Sequence, residues 1–173
     1  MTDIFEQADP EGMYLSLFKL GGKGPELVFG EKIPGMENNQ KEFATKIGVF
    51  YLTALGQGES FNTGLFGPLP LPRTSNQEAS TNPVSNFEAL AYAFFINDPT
   101  NEDPRIVKTY SIIVAIIPKT LTECIYHRKG IEMIFDNEIS QFSVIQEISV
   151  TALNKLKTRL QIKFREAGSS PVI

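Results

Sequence analysis

The sequence predicts an α+β protein: a single five-stranded antiparallel sheet with helices on both of its faces. Three observations lead there. Hydropathy changes period in a fixed order, with two strand-like stretches, one helix-length stripe, three more strand-like stretches and then helical spacing only. The two most apolar stretches, 87–96 and 106–117, carry apolar residues at both parities, so both of their faces require cover. Helical stripes precede and follow those stretches along the chain, which lets one pack on each side.

Composition fits one domain over 1–173, with a core from about 13 to 160: 42% of the 173 residues are hydrophobic and 21% are charged. The formal charge of −4 leaves no basic footprint for nucleic acid, whose phosphates are neutralised by clustered Lys and Arg. Residues 1–10 are acidic and lack the positive start and apolar middle of a signal peptide. The purely aliphatic run 112–117 falls far short of the ~20 residues of a membrane-spanning helix. Cys124 is the only cysteine, which excludes an intrachain disulfide and fits a reducing compartment, so a cytoplasmic location is expected.

The elements follow in order. Tyr14, Leu15, Leu17 and Phe18 mark a first strand over 13–20; the break Gly21-Gly22-Lys23-Gly24-Pro25 and the run Leu27-Val28-Phe29 complete a hairpin. The glycine-rich break lacks the spacing and the Lys-Ser/Thr pair of a phosphate loop, and it leads into a strand. Asn38 or Asn39 caps a helix over Gln40–Leu55. Phe43, Ile47, Phe50 and Ala54 form its expected core stripe. Ala44, Gly48, Tyr51 and Leu55 form a second stripe beside it, widened by Leu52, which gives an apolar arc broader than one sheet contact uses.

A third strand is expected within 61–71, and Pro68, Pro70 and Pro72 place it at a sheet edge because proline has no N–H for a central ladder. Residues 73–86, rich in Ser, Thr, Asn and Pro, read as a mobile insertion. The strands 87–96 and 106–117 are joined by the turn-rich 97–104. Pro118 ends the last strand, and Thr120 with Glu123 has capping-box spacing for a helix whose apolar face begins with Leu121, Cys124 and Ile125. Arg128 and Glu132 fall on that face if the helix runs straight, so a break is expected at Gly130 before Ile131, Ile134, Phe135 and Phe142 renew the stripe. Ser143 with Gln146 repeats the capping-box spacing ahead of a final helix carrying Ile145, Ile148, Ala152, Leu156 and Leu160. The tail from 168 to 173 is expected to fray.

No catalytic, cofactor or metal site is expected, and the protein is read as no enzyme. His127 is the only histidine and sits among helical cations, with no base, nucleophile and orienting group in matched positions. Cys124 lies at an apolar helix position, which suits packing better than nucleophilic chemistry. Asp98, Glu102 and Asp103 lack the ligand spacing of a calcium loop and read as a solvated turn. Lys155, Lys157, Arg159, Lys163 and Arg165 load the end of the last helix with positive charge, which complements its dipole and allows a weak peripheral contact with anionic lipid or an acidic partner.

The β-β-α-β-β-β-α-α order is similar to the longin-like domain family, the module of vesicle-trafficking subunits and small-GTPase regulators, with relatives in archaea. The likeness is carried by Tyr14-Leu15-Ser16-Leu17-Phe18 with Pro25-Glu26-Leu27-Val28-Phe29, by the helix from Phe43 to Leu55, and by 112–117 followed by Pro118-Lys119-Thr120-Leu121. It implies a non-enzymatic protein–protein interaction scaffold, because longin-like chains commonly pair through their first helix and third-strand edge and such pairs engage small GTPases or trafficking complexes. The expected partners are another longin-like chain, as homodimer or heterodimer, and a small GTPase. The partner-binding surface is expected at Ala44, Gly48, Tyr51, Leu52, Leu65 and Phe66, where the broad apolar arc meets the proline-bearing edge. The alternative is a small-molecule-sensing domain of the PAS/GAF-like sheet-plus-helices type, which needs an underfilled core; Phe43, Phe50, Phe87, Tyr92, Phe94 and Phe95 are expected to fill it.

Overall fold

The computed structural model describes residues 12–22, 24–33, 40–55, 61–72, 87–100, 108–119 and 128–169. They form strands β1 (Tyr14–Gly21), β2 (Gly24–Gly30), β3 (Gly64–Leu69), β4 (Phe87–Asn97) and β5 (Lys108–Pro118), and helices α1 (Gln40–Leu55), α2 (Arg128–Ile139) and α3 (Val150–Ser169). The strands make one five-stranded sheet in the order β2-β1-β5-β4-β3. Every adjacent pair is antiparallel. The fold is α+β, as the hydropathy order predicts.

The side-chain period of two assigns each strand to two core layers. Leu15 and Leu17 of β1, Leu90, Tyr92, Phe94 and Ile96 of β4, and Ile113, Ala115 and Ile117 of β5 pack in one layer with Ile131 and Phe135 of α2 and Leu153, Leu156, Leu160 and Phe164 of α3. Phe18 of β1, Ala89, Ala91 and Ala93 of β4, and Ile112, Val114 and Ile116 of β5 pack in the other with Phe43, Ile47, Tyr51 and Leu52 of α1. β5 is buried on both faces at the sheet centre, which explains its unbroken apolar run. Each fully buried Ile, Leu or Phe contributes about 1.5–3 kcal/mol.

Local chemistry fixes the helix ends. Leu55 O, at the end of α1, accepts both the N–H and the Nδ2 of Asn62, each at 3.2 Å, which satisfies a carbonyl the helix leaves open. The first turn of α3 is capped by Ser149, whose Oγ accepts the Ala152 N–H at 3.2 Å. This corrects the expected cap at Ser143 and Gln146. Residues Ile145–Glu147 form a separate 3-10 turn. There Glu147 reaches back to the Ser143 N–H, and Gln146 turns toward Asp98.

Further expectations are also revised. α2 runs through Gly130 without a break, since Gly130 lies in its first turn with the Lys163 stem of α3 against it. The cations of α3 do not sit at its end, because the helix continues to Ser169. The insertion 73–86, the helix start at Thr120 and Glu123, the caps Asn38 and Asn39, the carboxylates Glu102 and Asp103, and the side chains of Cys124 and His127 lie outside the described residues.

Candidate interaction surface

α1 lies on the sheet with Phe43, Ala44, Ile47, Tyr51, Leu52 and Leu55 buried. Gly48 faces the same way: a Cβ there would stand 2.9 Å from Phe18 Cδ1 and 3.6 Å from Pro25 Cβ. Its missing side chain is what lets α1 approach the β1–β2 hairpin. Tyr51 directs its hydroxyl to Pro70 O at 2.6 Å, anchoring the helix to the chain that leaves β3, and burial pushes that phenol well above its ordinary pKa.

This rotation corrects the expected orientation of the helix. Ala44, Gly48, Tyr51 and Leu52 turn into the chain's own core, Leu65 is buried under α2, and Phe66 is half-buried against the α1 layer. The outward apolar residues are Val49, 48% exposed, and Phe50, 56% exposed. With Thr45, Lys46 and Pro72 they line a groove of about 310 Å³. Lys46 pairs with Glu42 one turn earlier at 3.2 Å. A second aromatic group lies at the far end of β4 and β5, where Phe61 stands 4.8 Å from Tyr110 and 6.0 Å from Phe95 between ring centroids. Burial pushes the Tyr110 phenol up to about 12.

β3 is a sheet edge, as its prolines predict, but two of its carbonyls are already taken. Arg128 at the start of α2 donates from Nη1 to Gly67 O at 2.9 Å and from Nη2 to Leu65 O. The two polar residues that conflict with an apolar face on a straight α2 are therefore turned to the strand: Arg128 caps β3, and Glu132 lies beside Gly64. One turn further, Asp136 accepts the Tyr92 hydroxyl. Burial first and this carboxylate second hold the Tyr92 phenol well above its ordinary pKa.

Asp98 is not solvated. It is 4% exposed, with Oδ2 2.9 Å from Lys19 Nζ. Its Oδ1 accepts the Thr100 N–H at 3.1 Å, Thr100 Oγ1 at 2.6 Å and Gln146 Nε2 at 2.9 Å. Burial alone raises a carboxyl pKa, but the hydrogen bonds from Thr100, Lys19 and Gln146 outweigh it and hold Asp98 well below the usual carboxylate range. The donors already occupy both oxygens, so the cluster ties β1, the end of β4 and the 3-10 turn together.

Three cations of α3, Lys155, Lys157 and Arg159, meet carboxylates of the same chain. Lys157 Nζ lies 2.9 Å from Glu31 Oε2 and 5.9 Å from the Tyr14 ring centroid. Arg159 Nη1 stands 2.9 Å from the buried Glu138 Oε1, at an angle that makes the contact ionic without a directed hydrogen bond. Among the described residues no group of three or more His, Cys, Asp and Glu side chains could hold a metal, and no helix is long and apolar enough to cross a membrane. Comparison with known proteins finds no family model, no curated protein and no solved structure that matches this chain.

Proposed function

We propose that this chain is a non-enzymatic protein–protein interaction module that dimerises and acts in small-GTPase-linked trafficking or signalling. The observation that carries the association is the outer side of α1, where Val49 and Phe50 stand exposed beside the Lys46–Glu42 ion pair. Two large apolar side chains on an outward helix face lose water contact when a partner covers them, and the adjoining groove gives an aromatic anchor a place to seat. The occupant is a second chain of the same fold, presenting its own α1. The residues first expected at the contact, Ala44, Gly48, Tyr51 and Leu52, then act as the bed that sets the helix height, with Leu65 and Phe66 in the neighbouring strand.

The trafficking and GTPase part of the reading rests on the likeness of element order to longin-like domains. Stacked aromatics support an interaction scaffold over a ligand cavity: Tyr92 lies 4.9 Å from Phe135 and 5.7 Å from Phe94 between ring centroids, which fills the space beneath α2. Light scattering on the purified wild type and on Phe50→Glu tests the association. A concentration-dependent doubling of mass in the wild type, with at least tenfold weaker association in a variant of unchanged circular dichroism, supports it. A wild type that stays monomeric at high concentration sinks the dimer reading, and failure of purified small GTPases to bind the dimer in either nucleotide state sinks the GTPase link.

A further inference from the structure

We propose that Arg128 is an intramolecular cap that stops a second copy of this chain from adding its β3 to the β3 edge. β3 pairs with β4 on one side only. Its ladder is interrupted between Phe66 and Leu69, and Pro68 offers no N–H, so the regular part of the open side is 64–66, centred on Leu65, with Gly67 just past it. The Arg128 guanidinium takes the carbonyls of Leu65 and Gly67. The two donors of a planar fork thus hold the carbonyl at the centre of the regular stretch and the one that follows it.

Self-pairing is the event the geometry excludes. In an antiparallel β3–β3 contact centred on Leu65, the Leu65 residues of the two chains stand opposite each other and exchange two backbone hydrogen bonds. The acceptor in each is the Leu65 carbonyl, which Arg128 occupies. A proline and an irregular ladder blunt the rest of the edge, and the guanidinium covers the part they leave regular. Gly67 has a positive φ of 132°, and a Cβ there would lie 2.7 Å from Ala89 O, so a bulky side chain cannot serve as the guard at this position.

The test uses the full chain in a Phe50→Glu background, so that α1-mediated association and β3 pairing are read separately. Adding Arg128→Ala is expected to double the mass relative to the parent at high concentration. The Leu65 amide should then exchange at least tenfold more slowly in concentrated than in dilute solution. A folded double variant that keeps the parent mass, or one that associates with that amide unprotected, overturns the proposal. Should Arg128→Ala lose the native circular dichroism, Arg128→Lys decides: its single ammonium cannot span both carbonyls, so partial association with a protected Leu65 amide is expected, and a folded monomer refutes the cap.

Discussion

The two faces of the sheet are held by different chemistry. On the α2–α3 face, β4 presents Leu90, Tyr92, Phe94 and Ile96, and the layer is also tied by Glu31 to Lys157, Glu138 to Arg159 and Asp98 to Lys19 and Gln146. On the α1 face, β4 presents Ala89, Ala91 and Ala93, and α1 closes onto the hairpin through the missing side chain of Gly48. Large aromatics and directed charges fix one layer, whereas small residues let the other approach closely. A helix held by close approach keeps its outer side free of obligations to the core, and that is the side where Val49 and Phe50 are exposed.

The sharpest way to break this contrast is Phe135→Ala. Phe135 is fully buried and stacks on Tyr92, so the variant should lose about 3–5 kcal/mol in urea unfolding through lost transfer energy and a residual cavity. A loss below ~1 kcal/mol would mean that the aromatic layer does not hold this face. Next in size is Asp98→Ala, expected to cost about 3 kcal/mol because Lys19 and Gln146 lose their buried partner. Its folded pKa is depressed, so its contribution is present above the unfolded value of about 4 and is lost as pH falls through that value toward the lower folded one. The gap between wild type and variant should therefore narrow progressively as pH falls below about 4 and close only near the lower folded value; an equal gap at pH 7 and pH 3 would contradict the assignment.

Gly48→Ala sharpens the other side. One methyl group 2.9 Å from Phe18 must lift α1 or turn the ring, at a cost of about 1–3 kcal/mol that outweighs the better helix propensity of alanine. A stabilised variant in thermal unfolding would show that α1 is not limited by its distance from the hairpin.

Strands and their order along the chain were legible because period-two alternation and the continuous runs of β4 and β5 are local signals. The rotation of α1 was not. Its apolar residues run nearly all round the cylinder, so hydropathy cannot choose between Phe50 and Tyr51, and the choice falls to the Tyr51 hydroxyl and its distant acceptor at Pro70. Asp98 carried half a signal: a turn with Thr100 two residues on is readable, but the ion pair to Lys19 joins positions 79 apart. Arg128 was visible only as a polar residue in the wrong place on an apolar face. That conflict was real, and its resolution lay in carbonyls of an edge strand that no spacing rule connects to it.

The placement of β5 between β1 and β4 has a consequence for how the chain reaches this state. β1–β2 is a hairpin of neighbours in sequence, and β4–β5 another, but Tyr14 meets Ile116 only when the last strand has been made. As the chain is synthesised from its N-terminus, the inner edge of β1 waits unpaired until residues 108–118 have been made. Completing the sheet requires a long loop closure, so docking of the two hairpin units, more than formation of either one, sets the pace of folding.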